Sequence, residues 1–269
     1  MNRYRWRTRI GLALAGGAVI MLTACAGAPG DVVTSKPPSP TAASGGEAGY
    51  QVTFRAVSKR RTAPVATVTY PEASVTGGPD PTVRAAIETA LRQTIDARRK
   101  EYDQSLDGED PSDTSTQRIT VTSQVRWGHL LSVEFLNETY RGGEPHPNTD
   151  LPAATVDLRT GKQVRTTDLY RDVAPVDAVL LKALTAKQTG TSGQEEKVTG
   201  VTVGKGTDDL VSLDSYPTPS GLWVGVPRCI LACAFGIVEV VLPWKDLPAP
   251  AEGVLSTGTP AVTLLTPGE

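Results

Sequence analysis

A chain of 269 residues, 39% hydrophobic and 21% charged, holds enough apolar material for one or two domains with a real core. Its 27 Lys and Arg against 29 Asp and Glu leave a formal charge of -2, which excludes the basic footprint of a nucleic-acid-binding surface. The 26 glycines and 21 prolines gather toward both ends, as in a folded middle with flexible flanks.

The amino end reads as an address. Arg3, Arg5, Arg7 and Arg9 form a positive segment, and Ile10 to Thr23 is an apolar run rich in Gly, Ala and Leu. The run is shorter than the roughly 20 residues a spanning helix needs, but it suits the apolar part of an export signal. It closes on Leu22-Thr23-Ala24-Cys25, which resembles the lipobox of bacterial lipoproteins. That resemblance implies cleavage after residue 24 and a lipid-modified, acylated (palmitate-bearing) Cys25. It also implies anchorage on the extracytoplasmic face of the cell membrane. Two or more acyl chains hold a protein stably, at about 0.8 kcal/mol per buried CH2. The alternative is a plain signal peptide or an uncleaved anchor with an incidental Cys25. Residues 25–49 lack the composition of a core and read as a flexible tether.

The body divides into a helix-bearing half, 50–125, and a second half, 126–247, expected to form one structural unit with it. Val52, Phe54 and Ala56, then Val65, Val68 and Tyr70, predict two strands around a Lys59-Arg60-Arg61 turn, with a loop from Pro71. Asp80-Pro81 opens a helix carrying Val83, Ile87, Leu91 and Ile95 at steps of four, ending near Ser105. Asp107 to Asp113 reads as a solvated acidic loop, since its spacing does not fit a calcium loop. Ile119, Val121, Ser123, Val125 and Trp127 alternate strictly, as do Leu131, Val133 and Phe135. These predict an antiparallel hairpin turning at Gly128-His129.

The stretch from Asn137 to Tyr170 organises the remainder. Tyr140, Gly142, Gly143, His146 and Asn148 lie in a glycine- and proline-rich turn and are the candidate ligand contacts. A strand at Thr155 to Leu158 returns through Thr160-Gly161, and a second helix is expected from about Pro175 to Lys187, stopped by Gly190. Two strands flank a tight turn at Pro217 to Gly221. Residues 248–269 read as a flexible tail in which Val262 to Leu265 could add an edge strand.

Cys229 and Cys233 are the other two cysteines. Export places them in an oxidising compartment, where a disulfide across the turn is expected; the alternative is two small buried hydrophobes. Two ligands without a neighbouring histidine make no metal site, and the spacing is not the CxxC of a redox centre.

Several motifs together resemble a known family. They are Tyr140-Arg141-Gly142-Gly143, His146-Pro147-Asn148, Asp157-Leu158-Arg159-Thr160-Gly161-Lys162 and Asp168-Leu169-Tyr170. Gly221 to Val226, Ala234 to Val240 and Pro243-Trp244-Lys245-Asp246-Leu247 continue the pattern. Over roughly Tyr50 to Leu247 the chain resembles the carboxy-terminal, DUF3298-like domain of RsiV-type anti-sigma factors, preceded by its usual partner domain. Secreted mycobacterial immunogenic proteins carry a similar domain. The family's turn usually reads Gly-Gly-Ala-His, and here Glu144-Pro145 stands where one residue is expected. No sigma-binding region precedes the export signal and no deacetylase domain follows. The resemblance therefore implies an extracytoplasmic sensor or binding domain, with lysozyme, the ligand of RsiV-type relatives, among its possible partners.

No hydrolase motif is present, and two histidines do not furnish a zinc site. The expectation is an α+β domain, mostly antiparallel sheet with two packed helices. It is non-catalytic, without cofactor or metal, and binds a cell-wall glycan or an envelope protein. The alternative is an enzyme acting on cell-wall polymer, with His146 and Glu144 or Asp150 as acid and base. A pure scaffolding role is a third reading.

Overall fold

Asp80 starts the longest helix. Its Oδ1 accepts the N–H of Thr82 at 2.7 Å and of Val83 at 3.4 Å, and Pro81 takes the first helical position, where no N–H is missed. Helix α1 runs Pro81–Ser105 and buries Ile87, Ala90, Leu91, Ile95 and Tyr102. The computed structural model describes residues 49–62, 65–107, 114–192, 198–228, 230–231, 236–255 and 260–264. Cys25, Cys229 and Cys233, and with them the lipidation and disulfide expectations, lie outside the described residues, as does the apolar run from Ile10.

Strands β1 (Tyr50–Thr62) and β2 (Val65–Gly77) pair antiparallel along their whole length. Lys59, Arg60 and Arg61 are therefore part of β1, opposite Val68, Thr67 and Ala66, and not a turn. Pro71 is likewise inside β2, opposite Ala56. A proline is tolerated there because β2 meets β3 (Ser115–Trp127) only over Ala66–Thr69, which leaves the rest of that side of β2 outside the β3 ladder. The β2–β3 pairing is parallel, so it requires a long crossover, and α1 provides it.

β3 turns at Gly128, φ +57°, into β4 (Leu130–Tyr140). β5 (Asn148–Asp150) and β6 (Ala153–Asp157) continue one register along the other side of β4. Pro152 interrupts them because it has no N–H to give, although its carbonyl still accepts from Phe135 at 2.8 Å. The Thr160-Gly161 turn follows, with Val164 N–H returning to Thr155 O.

α2 (Thr166–Leu169) is a single turn. α3 spans Ala174–Ser192, longer than expected at both ends. Gly190 does not stop it: nothing lies within 4 Å of where its Cβ would be, and one glycine costs a helix only about 1 kcal/mol. Short β7 (Val201–Thr202) and β8 (Val211–Ser212) pair parallel. β9 (Ser215–Thr218), β10 (Gly221–Val226) and β11 (Val238–Pro243) form an antiparallel sheet in the order β11-β10-β9. A 3-10 turn at Trp244–Asp246 follows. Pro260–Leu264, expected within a flexible tail, forms β12 and pairs antiparallel with Trp127–Ser123 of β3.

Three apolar clusters result. Ile87, Leu91 and Ile95 of α1 pack on Ile119, Val121, Val133, Phe135 and Val156. Val176, Leu180 and Leu184 of α3 pack on Leu222, Val224, Val226 and Leu242. Between them, Val125 and Ala153 of the large sheet, with Leu151 between β5 and β6, meet Tyr216 and Trp223 of the small one. The first core draws residues from both sides of position 126. The architecture is α+β with a mostly antiparallel sheet.

A bulge makes the sandwich possible. The β3–β4 register slips between Val121 and Ser123, leaving Thr122 as an extra residue. Ile119 and Val121 consequently face α1, while Val125 and Trp127 face the small sheet, where Trp127 meets Trp244 at 6.0 Å between ring centres. Strict alternation in sequence implied one face for all of them.

Candidate functional site

The candidate contacts sit on the loop of the β4–β5 hairpin, residues 141–147, and on the strand ends that flank it, Tyr140 and Asn148. Glu144 braces it. Arg141 Nε donates to Glu144 Oε1 at 2.9 Å, Glu144 N–H donates to Arg141 O at 3.0 Å, and Asn148 Nδ2 donates to Glu144 Oε2 at 3.2 Å. Gly142 N–H reaches Ser115 Oγ at 3.2 Å and pins the loop to β3. Gly143 has φ +83° with open space around it, a turn conformation that favours glycine. His146 is exposed, and its Nδ1 lies 3.3 Å from Pro147 O. Arg228 NH1 donates to Pro147 O at 3.4 Å, so the chain after β10 abuts the loop.

Tyr140, Gly142, Gly143, His146 and Asn148 are thus brought to one hairpin end. Glu144 and Asp150, the carboxylates considered as partners for His146, are engaged elsewhere. Glu144 holds Arg141 and Asn148. Asp150 lies on the α1 side of the sheet, accepting from Arg98 Nε at 3.1 Å and Asn137 Nδ2 at 2.6 Å. His129, the other histidine, is half-buried at its turn, with Nε2 3.2 Å from Val254 O.

Two polar clusters lie beneath. In the first, Arg98 serves three carboxylates: Asp150, Asp214 at 2.5 Å and Glu101 at 2.9 Å. Gln117 Nε2 donates to Asn137 Oδ1 and to Arg98 O, both at 3.0 Å, extending the network into β3 and β4. Burial pushes the Asp150 and Asp214 carboxyls up, and the Arg98 guanidinium only partly offsets it. In the second cluster, Glu134 is 7% exposed and accepts from Thr122 Oγ1 at 2.5 Å and Tyr216 Oη at 3.1 Å. Tyr216 stacks on Trp223 at 4.6 Å, and Trp223 Nε1 donates to Glu239 at 3.2 Å. Burial, with Glu239 nearby, pushes Glu134 above the ordinary carboxyl range. Burial and the Glu134 carboxylate push the Tyr216 phenol up as well.

The sequence reading missed both clusters. A signal existed for each. Arg98 falls three residues after Ile95, on the apolar stripe of α1, and Glu134 interrupts the apolar run Leu130 to Leu136. Their partners Asp214 and Tyr216 are 116 and 82 residues distant, and nothing local points to them.

No protein-family model and no curated protein matches this chain. Solved structures do resemble it. A DUF3298 family protein from Pseudomonas aeruginosa PAO1 superposes with a TM-score of 0.50 at 13% identity, covering 78% of this chain and 97% of that one. A DUF3298 family member from Bacteroides fragilis NCTC 9343 gives 0.48 at 15% identity, covering 77% and 96%. At such identity the likeness is one of fold alone: the chain has the α+β architecture of the DUF3298 structure from Pseudomonas aeruginosa.

Proposed function

We propose that this protein is a lipid-anchored envelope protein whose α+β domain binds an envelope ligand, a cell-wall glycan or a protein such as lysozyme, without catalysing a reaction. The lipobox-like Leu22 to Cys25 supports export and anchorage, and the motif resemblance to RsiV-type domains supports a sensing or binding role. The observation that carries the reading is the braced 141–147 loop. Glu144 and Ser115 fix its backbone, while His146 and Asn148 stay exposed at its end. A loop held rigid with outward polar side chains loses little entropy on binding.

The test is retention of the full-length protein on isolated cell-wall sacculi and, separately, on immobilised lysozyme. Retention on one of them, weakened by His146→Ala or Asn148→Ala with circular dichroism unchanged, is the expected result. A protein retained by neither overturns the reading. Labelled palmitate entering the wild type and not Cys25→Ala is the expected result for the anchor; equal labelling of both overturns it.

A further inference from the structure

The large sheet has one face against α1 and one toward the small sheet, and the small sheet covers only part of the latter. Along β4, Ser132 and Glu134 are buried on that second face at 2% and 7% exposure, and Leu136 is the last residue packed against the Tyr216–Trp223 cluster. Beyond it, toward the 141–147 loop, the face is open. β3 shows this, flanked there by β2 and β4. Its inward residues Ser115, Gln117 and Ile119 are at most 2% exposed, yet the alternating Thr116 and Arg118 are exposed. A mid-sheet side chain is exposed only where no layer lies over it.

The registers give two cross-strand rows on this floor. One is Arg60, Thr67, Thr116 and Tyr140; the next is Ser58, Thr69, Arg118 and Glu138. Ser58 Oγ and Thr69 Oγ1 already share a hydrogen bond of 2.8 Å, which orders part of the hydroxyl lattice. Among the described residues neither Arg60 nor Arg118 enters an ion pair. The two lie two strands apart and two residues offset, about 12 Å between Cα atoms by sheet geometry.

We propose that this half-face binds a linear anionic glycan, one bearing carboxylates at intervals along a polyol chain. The proposal rests on the envelope-binding reading and gives it a ligand class and a surface. Two arginines rooted about 12 Å apart at their Cα atoms on a stiff floor suit a repeating anion better than a single one, and each guanidinium presents a fork that matches a carboxylate. The Ser and Thr hydroxyls between them donate and accept as sugar hydroxyls do. Tyr140, at the rim beside the loop, offers a ring face to the apolar side of a pyranose and a hydroxyl to its edge. The rows contain no Leu, Ile, Val, Phe or Trp, and a protein partner would lack the desolvated anchor that carries most interface energy.

The experiment titrates the full-length protein with polygalacturonate, a linear polyuronate, beside neutral dextran, polyglutamate and single-stranded DNA. Saturable binding of polygalacturonate in preference to the other three is expected. Arg118→Ala and Arg60→Ala should each weaken it about tenfold, and Arg118→Lys, which keeps the charge but not the fork, by less. Circular dichroism checks that each variant is folded. Polyglutamate or DNA binding as tightly as polygalacturonate would show a surface that reads charge and not sugar, overturning the proposal. Undiminished binding by folded Arg118→Ala would overturn it too. Retention on sacculi or lysozyme by a protein that ignores polygalacturonate would overturn the glycan assignment while leaving the envelope-binding reading intact.

Discussion

Arg98 donates from Nε to Asp150 Oδ2 at 3.1 Å, and this contact fastens α1 to the strand that leaves the candidate loop. The same guanidinium holds Asp214 just ahead of β9, so one side chain joins the large sheet's helix, its outer strand and the start of the small sheet. Removing it leaves carboxylates without their cation. Breaking a fully buried pair costs about 3–5 kcal/mol. The Arg98 and Asp150 side chains are 24% exposed, so solvent screens part of this, and Arg98→Ala should cost about 2–3 kcal/mol in urea unfolding. A loss under about 1 kcal/mol, the range of exposed pairs, would mean that the network is solvated and does not clamp the layers.

Stability should be greater in mild acid than at neutral pH. Burial raises Glu134, Asp150 and Asp214, so the folded state holds their protons more tightly than the unfolded chain does. Each therefore contributes stability that is fully present below its ordinary value, 4.5 for Glu and 3.8 for Asp, and is lost as pH rises through its folded value. Asp157 runs the other way. Burial works against its charged form, but the hydrogen bonds and charge of Arg159 hold it low. Its contribution is present above 3.8 and disappears as pH falls through the folded value. Glu72, held low by its hydrogen bond from Arg55, runs the same way as Asp157, but it is fully exposed and solvent screens it. Three buried groups oppose these two, so the urea midpoint should be higher near about pH 5 than near about pH 8. Glu134→Gln should flatten that difference; a midpoint that climbs steadily toward pH 8 would contradict the assignment.

Gly161 tests how closely the hairpin turn meets α1. Its φ is +71°, and a Cβ there would lie 2.4 Å from Ala86 Cβ and 2.9 Å from Val83 O. Gly161→Ala should cost about 3 kcal/mol, from backbone strain and the clash together. Ala86→Gly in the same chain should relieve the Ala86 contact and leave the Val83 carbonyl contact and the backbone strain. Gly143→Ala, with φ +83° and open space, isolates the backbone part at about 1 kcal/mol. Equal losses at the two glycines, measured by thermal and urea unfolding, would show that α1 gives way.

Deleting Thr122 should leave the domain folded. Val121 and Ser123 already pair with consecutive β4 residues, Phe135 and Glu134, so a chain without Thr122 alternates plainly and keeps Ser123 to Trp127 opposite their present partners and on their present faces. Thr122→Ala removes the hydroxyl's hydrogen bonds to Glu134 O and Oε1 and should cost about 1 kcal/mol. A deletion variant that is unfolded by circular dichroism would refute the two-faced reading of β3.

Much of the fold is written locally. The α1 cap at Asp80-Pro81, the β3–β4 turn at Gly128 and the turns at Gly161 and between Thr218 and Gly221 depend on residues a few positions apart. Pattern reading places all of them. The errors have non-local causes. Pro71 breaks a strand in general but not where β3 has already left the ladder, and Lys59 to Arg61 extend β1 because β2 is long enough to pair with them. Gly190 stays helical because α3 runs on past it. For the candidate site, the loop's residue types were legible; the bracing role of Glu144 and the clusters around Arg98 and Glu134 were not, because their geometry and long-range partners are set by packing.

By itself, the sequence determined the class of the domain, the positions of its long helices and hairpins and the turn that carries Tyr140 to Asn148. Periodicity, caps and turn residues act over one or two turns of chain, so they can be read without knowing what they touch. Only the tertiary structure decided which face of β3 each alternating residue occupies, where the small sheet stops covering the large one, and which carboxylates share Arg98. Those outcomes depend on a one-residue slip at Thr122 and on contacts between segments about 100 residues apart, and neither leaves a local mark.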